Sequence, residues 1–93
     1  MNKERRKQIT DLVGQLRKLQ SETALEEMRG DAEDLRDEEQ EYYDNMPESL
    51  QGGERGQVAE EAINYLDSAV DALQSAFDSL EEAVSALEDA AGV

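Results

Sequence analysis

The sequence predicts an all-α protein, a long antiparallel helical hairpin that dimerises into a four-helix bundle. Three observations carry that reading. The second half counts in sevens: Leu66, Leu73, Leu80 and Leu87 form one row, Ala62, Ala69, Ala76, Ala83 and Ala90 a second, and Ile63, Val70, Phe77, Val84 and Ala91 a third. A seven-residue apolar repeat is the mark of helices packed along their lengths. A single compact break interrupts the helical pattern. The apolar stripe, three positions in every seven, is wider than one neighbouring helix can cover.

The first arm is expected at about residues 3–44. Ile9, Leu12, Val13, Leu16 and Leu19 form one helical stripe, and Leu25, Met28, Ala32, Leu35 and Tyr42 form another. At 100° per residue the two lie roughly 140° apart around a helix. Either the arm breaks between them, within residues 21–31, or each stripe meets a different partner. Thr23 with Glu26 has the spacing of a capping box, which restarts a helix. Gly30-Asp31 is a second place for an interruption. Unbroken, the arm reaches roughly 63 Å. A break favours three helices over a long hairpin.

The turn is expected at residues 45–53. Pro47 disfavours helix at Met46, and Gly52-Gly53 is a strong stop. Pro47-Glu48-Ser49-Leu50 can form a short turn of its own, with proline at a first helical position. So short a connection folds its arms back antiparallel. With the loop centred near Ser49, residue numbers facing each other across the arms sum to about 98. Arg17 and Lys18 then face Asp78, Glu81 and Glu82.

The second arm, about residues 54–91, spans roughly 57 Å. Gly56 is a soft spot near its start, and Gly92 a natural stop. Its packing seam is read as Leu66, Ala69, Leu73, Ala76, Leu80, Ala83 and Leu87, with alanine letting a neighbouring backbone come close. This repeat reads first as structural core; the competing reading is a groove awaiting a partner helix. Two long helices share one seam and four enclose a core, so the stripe implies a homodimer of hairpins.

Composition narrows the chemistry. The 93 residues, read as one helical domain, contain no cysteine, histidine or tryptophan. That removes disulfides, thiolate metal sites and His-based nucleophile systems. A di-iron carboxylate bundle needs Glu-x-x-His pairs. An EF-hand started at Asp31 has Arg36 where its sixth-position glycine belongs. No catalytic, cofactor-binding or metal-binding residue is therefore assigned, and the expectation is a protein that is not an enzyme. No run is long enough to span a bilayer and no signal-peptide stretch follows the basic start, which points to a soluble cytoplasmic protein.

The formal charge is -15 and unevenly spread. Residues 1–20 hold six Lys/Arg against two Asp/Glu, for +4; residues 21–93 hold three against 22, for -19. Lys3 to Leu19 is amphipathic and cationic enough for an anionic membrane. Packing onto the acidic arms is the better use, although exposed ion pairs contribute only about 0–1 kcal/mol each. The acidic bulk repels nucleic acid and favours basic partners. Asp31, Glu33, Asp34, Asp37, Glu38, Glu39, Glu41 and Asp44 crowd fourteen residues, offset only by Arg36. The plain reading is a solvated face. The sharper one is a partner-binding surface that imitates a phosphate backbone and occupies a nucleic-acid channel on another protein.

The turn Glu41-Tyr42-Tyr43-Asp44-Asn45-Met46-Pro47-Glu48-Ser49-Leu50-Gln51-Gly52, with Glu60-Glu61-Ala62-Ile63 beyond it, resembles a group of small acidic helical proteins encoded by bacterial phages and prophages. The likeness covers the turn and the start of the second arm, and Ser21 to Gly30 departs from it. It implies a phage origin acting in a bacterial cytoplasm and carries over no catalytic residue. The resulting expectation is a non-catalytic module binding, and inhibiting, a bacterial defence or nucleic-acid-processing protein through a basic surface on that protein. The alternative is a scaffold or chaperone for phage assembly, acting through the apolar stripe.

Overall fold

The computed structural model describes residues 1–92, and of Thr23 the backbone only. Its elements are α1 (Lys3–Thr23), α2 (Leu25–Asp44), α3 (Glu48–Gln51) and α4 (Glu54–Ala91), with no strand among the described residues. The chain is all-α, with 90% of its residues helical.

Asn2 starts α1 by accepting a hydrogen bond from the Arg5 backbone at 2.8 Å. This satisfies one of the donors that every helix start leaves free. The first arm does break, at Ala24, whose φ of 48° and ψ of 46° put it in the left-handed region. That conformation ends α1, and α2 begins at the next residue. The anticipated Thr23 cap involves a side chain outside the described residues, and Gly30 sits inside α2 without interrupting it.

The fold divides into two compact units. One joins residues 1–25 to the chain from Gln74 onward; the other is Glu26–Leu73. In the first, α1 runs antiparallel to the later half of α4: Arg17 Nη2 lies 2.9 Å from Glu88 Oε1, and Gln20 Nε2 donates to Glu81 Oε1 at 2.8 Å. In the second, α2 returns through α3 onto the earlier half of α4. Arg36 Nη1 lies 3.1 Å from Asp67 Oδ1, and Tyr43 Oη donates to Glu60 Oε1 at 2.8 Å.

These pairings correct the expected register. The facing numbers sum to about 103 rather than 98, so Arg17 meets Glu88 and Lys18 turns to Glu22 on its own helix. The cause lies in the turn. Helix α3 packs its last residue against Gly56, where an added Cβ would collide with the Gln51 backbone. Gln51 also donates to the Tyr43 carbonyl at 3.0 Å. The reversal is therefore centred near Gln51 instead of Ser49. The soft spot in the sequence is the point where α3 and α4 come closest.

The seam on α4 also departs from expectation. Gly56, Ala59, Ile63, Val70 and Val84 are buried, and Leu66, Leu73, Phe77, Leu80 and Leu87 are half-buried. The spacing alternates three and four, as in a knobs-into-holes stripe. Ala69, Ala76 and Ala83 are exposed. On α1, Ile9, Val13 and Leu16 turn inward while Leu12 and Leu19 stay exposed; on α2, Leu25 and Ala32 turn inward while Met28, Leu35 and Tyr42 stay exposed.

Candidate acidic interaction surface

Helix α2 carries all eight residues of the acidic run, and the helical period sorts them into two groups. Glu33 turns partly inward and pairs with Arg29 at 3.1 Å. Asp37 lies 3.3 Å from Arg36, and Asp44 accepts from Gln40 at 3.0 Å. Glu39 is half-buried beside Tyr42 and Val58. The remaining four, Asp31, Asp34, Glu38 and Glu41, are exposed, with no ion pair among the described residues. They are spaced three, four and three apart, which places them in one row along the helix. The structure thus brings half of the predicted residues into a single unneutralised stripe and gives the others local partners.

The inward side of α2 explains why this stripe faces outward. Arg29, Arg36 and Tyr43 recur every seven residues on the side toward α4. Arg36 spans Asp67 and Asp37, and its hydrogen bond to Asp67, with that to Asp37, raises its pKa above the ordinary arginine value. The Tyr43 hydroxyl, donating to Glu60, is likewise raised, chiefly by that hydrogen bond and further by desolvation. Arg29 is held less completely: its Nε is buried with no acceptor among the described residues. With the cations and the phenol committed to α4 or to near neighbours, the outer carboxylates have nothing to offset them.

From Asp31 to Asp44 the helix rises roughly 20 Å. The four unpaired carboxylates over that distance give one negative charge per about 5 Å of axis, sparser than the one per about 1.7 Å of duplex DNA. Such a row can do electrostatic recognition. Among the described residues no group of three or more acidic side chains is placed to hold a metal ion. No described helix is long and apolar enough to cross a membrane. Sequence reasoning missed the partners of the acidic run: Arg29 and Arg36 at seven-residue spacing were the available signal. No protein family, curated protein or solved structure matches the chain.

Proposed function

We propose that this chain is a non-catalytic, phage-encoded interaction module that binds a basic surface on a bacterial protein through α2. Inhibition of a host defence or nucleic-acid-processing protein is the outcome most in keeping with such a surface. The observation that carries the reading is the exposed row Asp31, Asp34, Glu38 and Glu41, left without counter-ions on a helix whose arginines are spent elsewhere. Uncompensated like charge four apart on one helix is destabilising by about 0.2–0.5 kcal/mol per pair, so the row is not there for the stability of the chain. A cationic partner relieves that repulsion on binding. The chain acts as a homodimer packed into a four-helix bundle, which leaves α2's outer side free.

The test compares wild type with a variant in which Asp31, Asp34, Glu38 and Glu41 become Asn or Gln, as baits for bacterial proteins at low and raised salt. The expected result is a captured basic protein that is lost at raised salt, displaced by duplex DNA, and absent with the neutralised bait. Equal capture by both baits, independent of salt, overturns the reading. A scaffold role is favoured by a different observation, the exposed apolar side chains Met28, Leu35 and Tyr42. It predicts capture that survives salt.

A further inference from the structure

Within the unit Glu26–Leu73, α2 and α4 are tied together along one flank and apolar along the other. Tyr43 and Arg36 reach Glu60 and Asp67, which stand seven apart on α4. The other flank is built from two facing rows. On α2, Met28, Leu35 and Tyr42 each stand one place before the inward Arg29, Arg36 and Tyr43. On α4, Val58 and Tyr65 are seven apart, with Ala62 and Ala69 alongside. Tyr42 and Val58 line a common hollow, which puts the two rows on one side of the unit. Tyr42 lines a second hollow with Pro47 and Leu50, so the turn closes the end of this trough. Leu35, Tyr42 and Val58 are more than half exposed, and Tyr65 is 76% exposed. A continuous apolar surface with a polar rim marks an interaction site.

The rim here is acidic on both edges. By the helical period, the exposed row Asp31, Asp34, Glu38 and Glu41 stands next outside the apolar row of α2. Glu54 and Glu61 stand next outside Val58 and Tyr65 on α4. The unit holds three Lys/Arg against sixteen Asp/Glu, or -13. Of the three, Arg29 and Arg36 turn inward and Arg55 sits at the turn end of the trough.

We infer that this trough takes a basic amphipathic helix of a partner protein, its apolar stripe seated between α2 and α4 and its Lys/Arg along both edges. The inference rests on the reading of α2 as the docking helix for a basic partner, and it adds the shape of the element that docks. A groove between two packed helices accepts the apolar face of a third. Lysine and arginine lay their aliphatic stems over apolar side chains while carrying charge outward to the rim. Charge complementarity decides among the occupants. A second copy offering the same face sets -13 against -13. Nucleic acid and an anionic bilayer are repelled in the same way. From Met28 to Tyr42 the trough rises roughly 21 Å, which a helix of about 14 to 18 residues fills.

The test titrates the full chain into three dye-labelled peptides of that length and follows fluorescence anisotropy. The first has leucines on one helical face and lysines elsewhere. The second has the same composition scrambled, so that no stripe forms. The third keeps the stripe and replaces lysine with glutamate. The expected result is that the first binds at least about tenfold tighter than either other peptide, and that raised salt weakens its binding without abolishing it. Leu35→Glu and Tyr65→Glu, with helical circular dichroism kept, should each weaken it by about tenfold, although each adds a negative charge. Equal binding of the scrambled peptide overturns the inference and leaves the α2 reading standing, because charge alone then suffices. Equal binding of the glutamate peptide overturns both. Binding by none of the three overturns the inference. A doubled mass that Tyr65→Glu returns to the single-chain value, with the first peptide excluded from wild type, gives the trough to a second copy and also overturns it.

Discussion

Arg36 reaches across from α2 to Asp67 on α4, 3.1 Å between Nη1 and Oδ1, while its other nitrogens hold Asp37 on its own helix. One cation is shared between an acidic helix and the helix it packs on. This ties the acidic helix to α4 within its unit. A double-mutant cycle with Arg36→Ala and Asp67→Asn is expected to show favourable coupling that shrinks as salt rises. Additive effects at low salt would show that the contact contributes nothing.

Gly56→Ala is expected to destabilise the fold, against the ordinary helix preference for alanine, which favours it by about 1 kcal/mol. The added Cβ meets the Gln51 backbone, which cannot give way without moving α3. The net cost is about 1–3 kcal/mol, read from thermal or denaturant unfolding. A stabilised variant would mean that α3 does not approach α4 here.

Ala24→Gly is expected to do the reverse. Ala24 occupies the left-handed region at φ 48°, which costs a residue with a Cβ about 1 kcal/mol more than glycine. A rise in stability of up to about 1 kcal/mol is expected, reduced by glycine's greater freedom in the unfolded chain. If the variant loses the stability typical of glycine placed within a helix, α1 and α2 are continuous.

Tyr43 donates to Glu60, which raises its pKa above the usual value. A group raised in the folded state contributes stability that is complete below its unfolded pKa, about 10, and is lost as pH climbs through the folded one. Stability should therefore fall in alkali above about pH 10, and Tyr43→Phe should flatten part of that fall. An unchanged alkaline limb in the variant would remove the contact from the account.

Val84 is 1% exposed and stands near the C-terminal end of its seam row. Val84→Ala should cost about 1–2 kcal/mol. The neighbouring Ala83→Ser, on an exposed position, should cost the single chain far less. Similar losses for both, in conditions where the chain is monomeric, would return the alanine row to the intrachain core.

Much of the architecture is legible in the residues. The Pro47 and Gly52-Gly53 punctuation locates the turn, and the change of stripe between Leu19 and Leu25 locates the break. Which flank of α4 buries itself is not legible from α4 alone, because three adjacent rows are apolar and any two make a seam. The decision comes from the other arm, where Arg17, Gln20, Arg36 and Tyr43 take the acidic row and pull that flank inward. The register escapes for a local reason: α3 consumes part of the turn and closes on Gly56. Of the acidic run, the period of the helix foretells a row but not which carboxylates find arginine.

The proposed homodimer is a statement about mass in solution. Multi-angle light scattering at micromolar concentration tests it most directly. The account predicts a mass twice 10.4 kDa, falling toward the single-chain value when Ala76 and Ala83 are replaced by glutamate. A 10.4 kDa species at every concentration would contradict it.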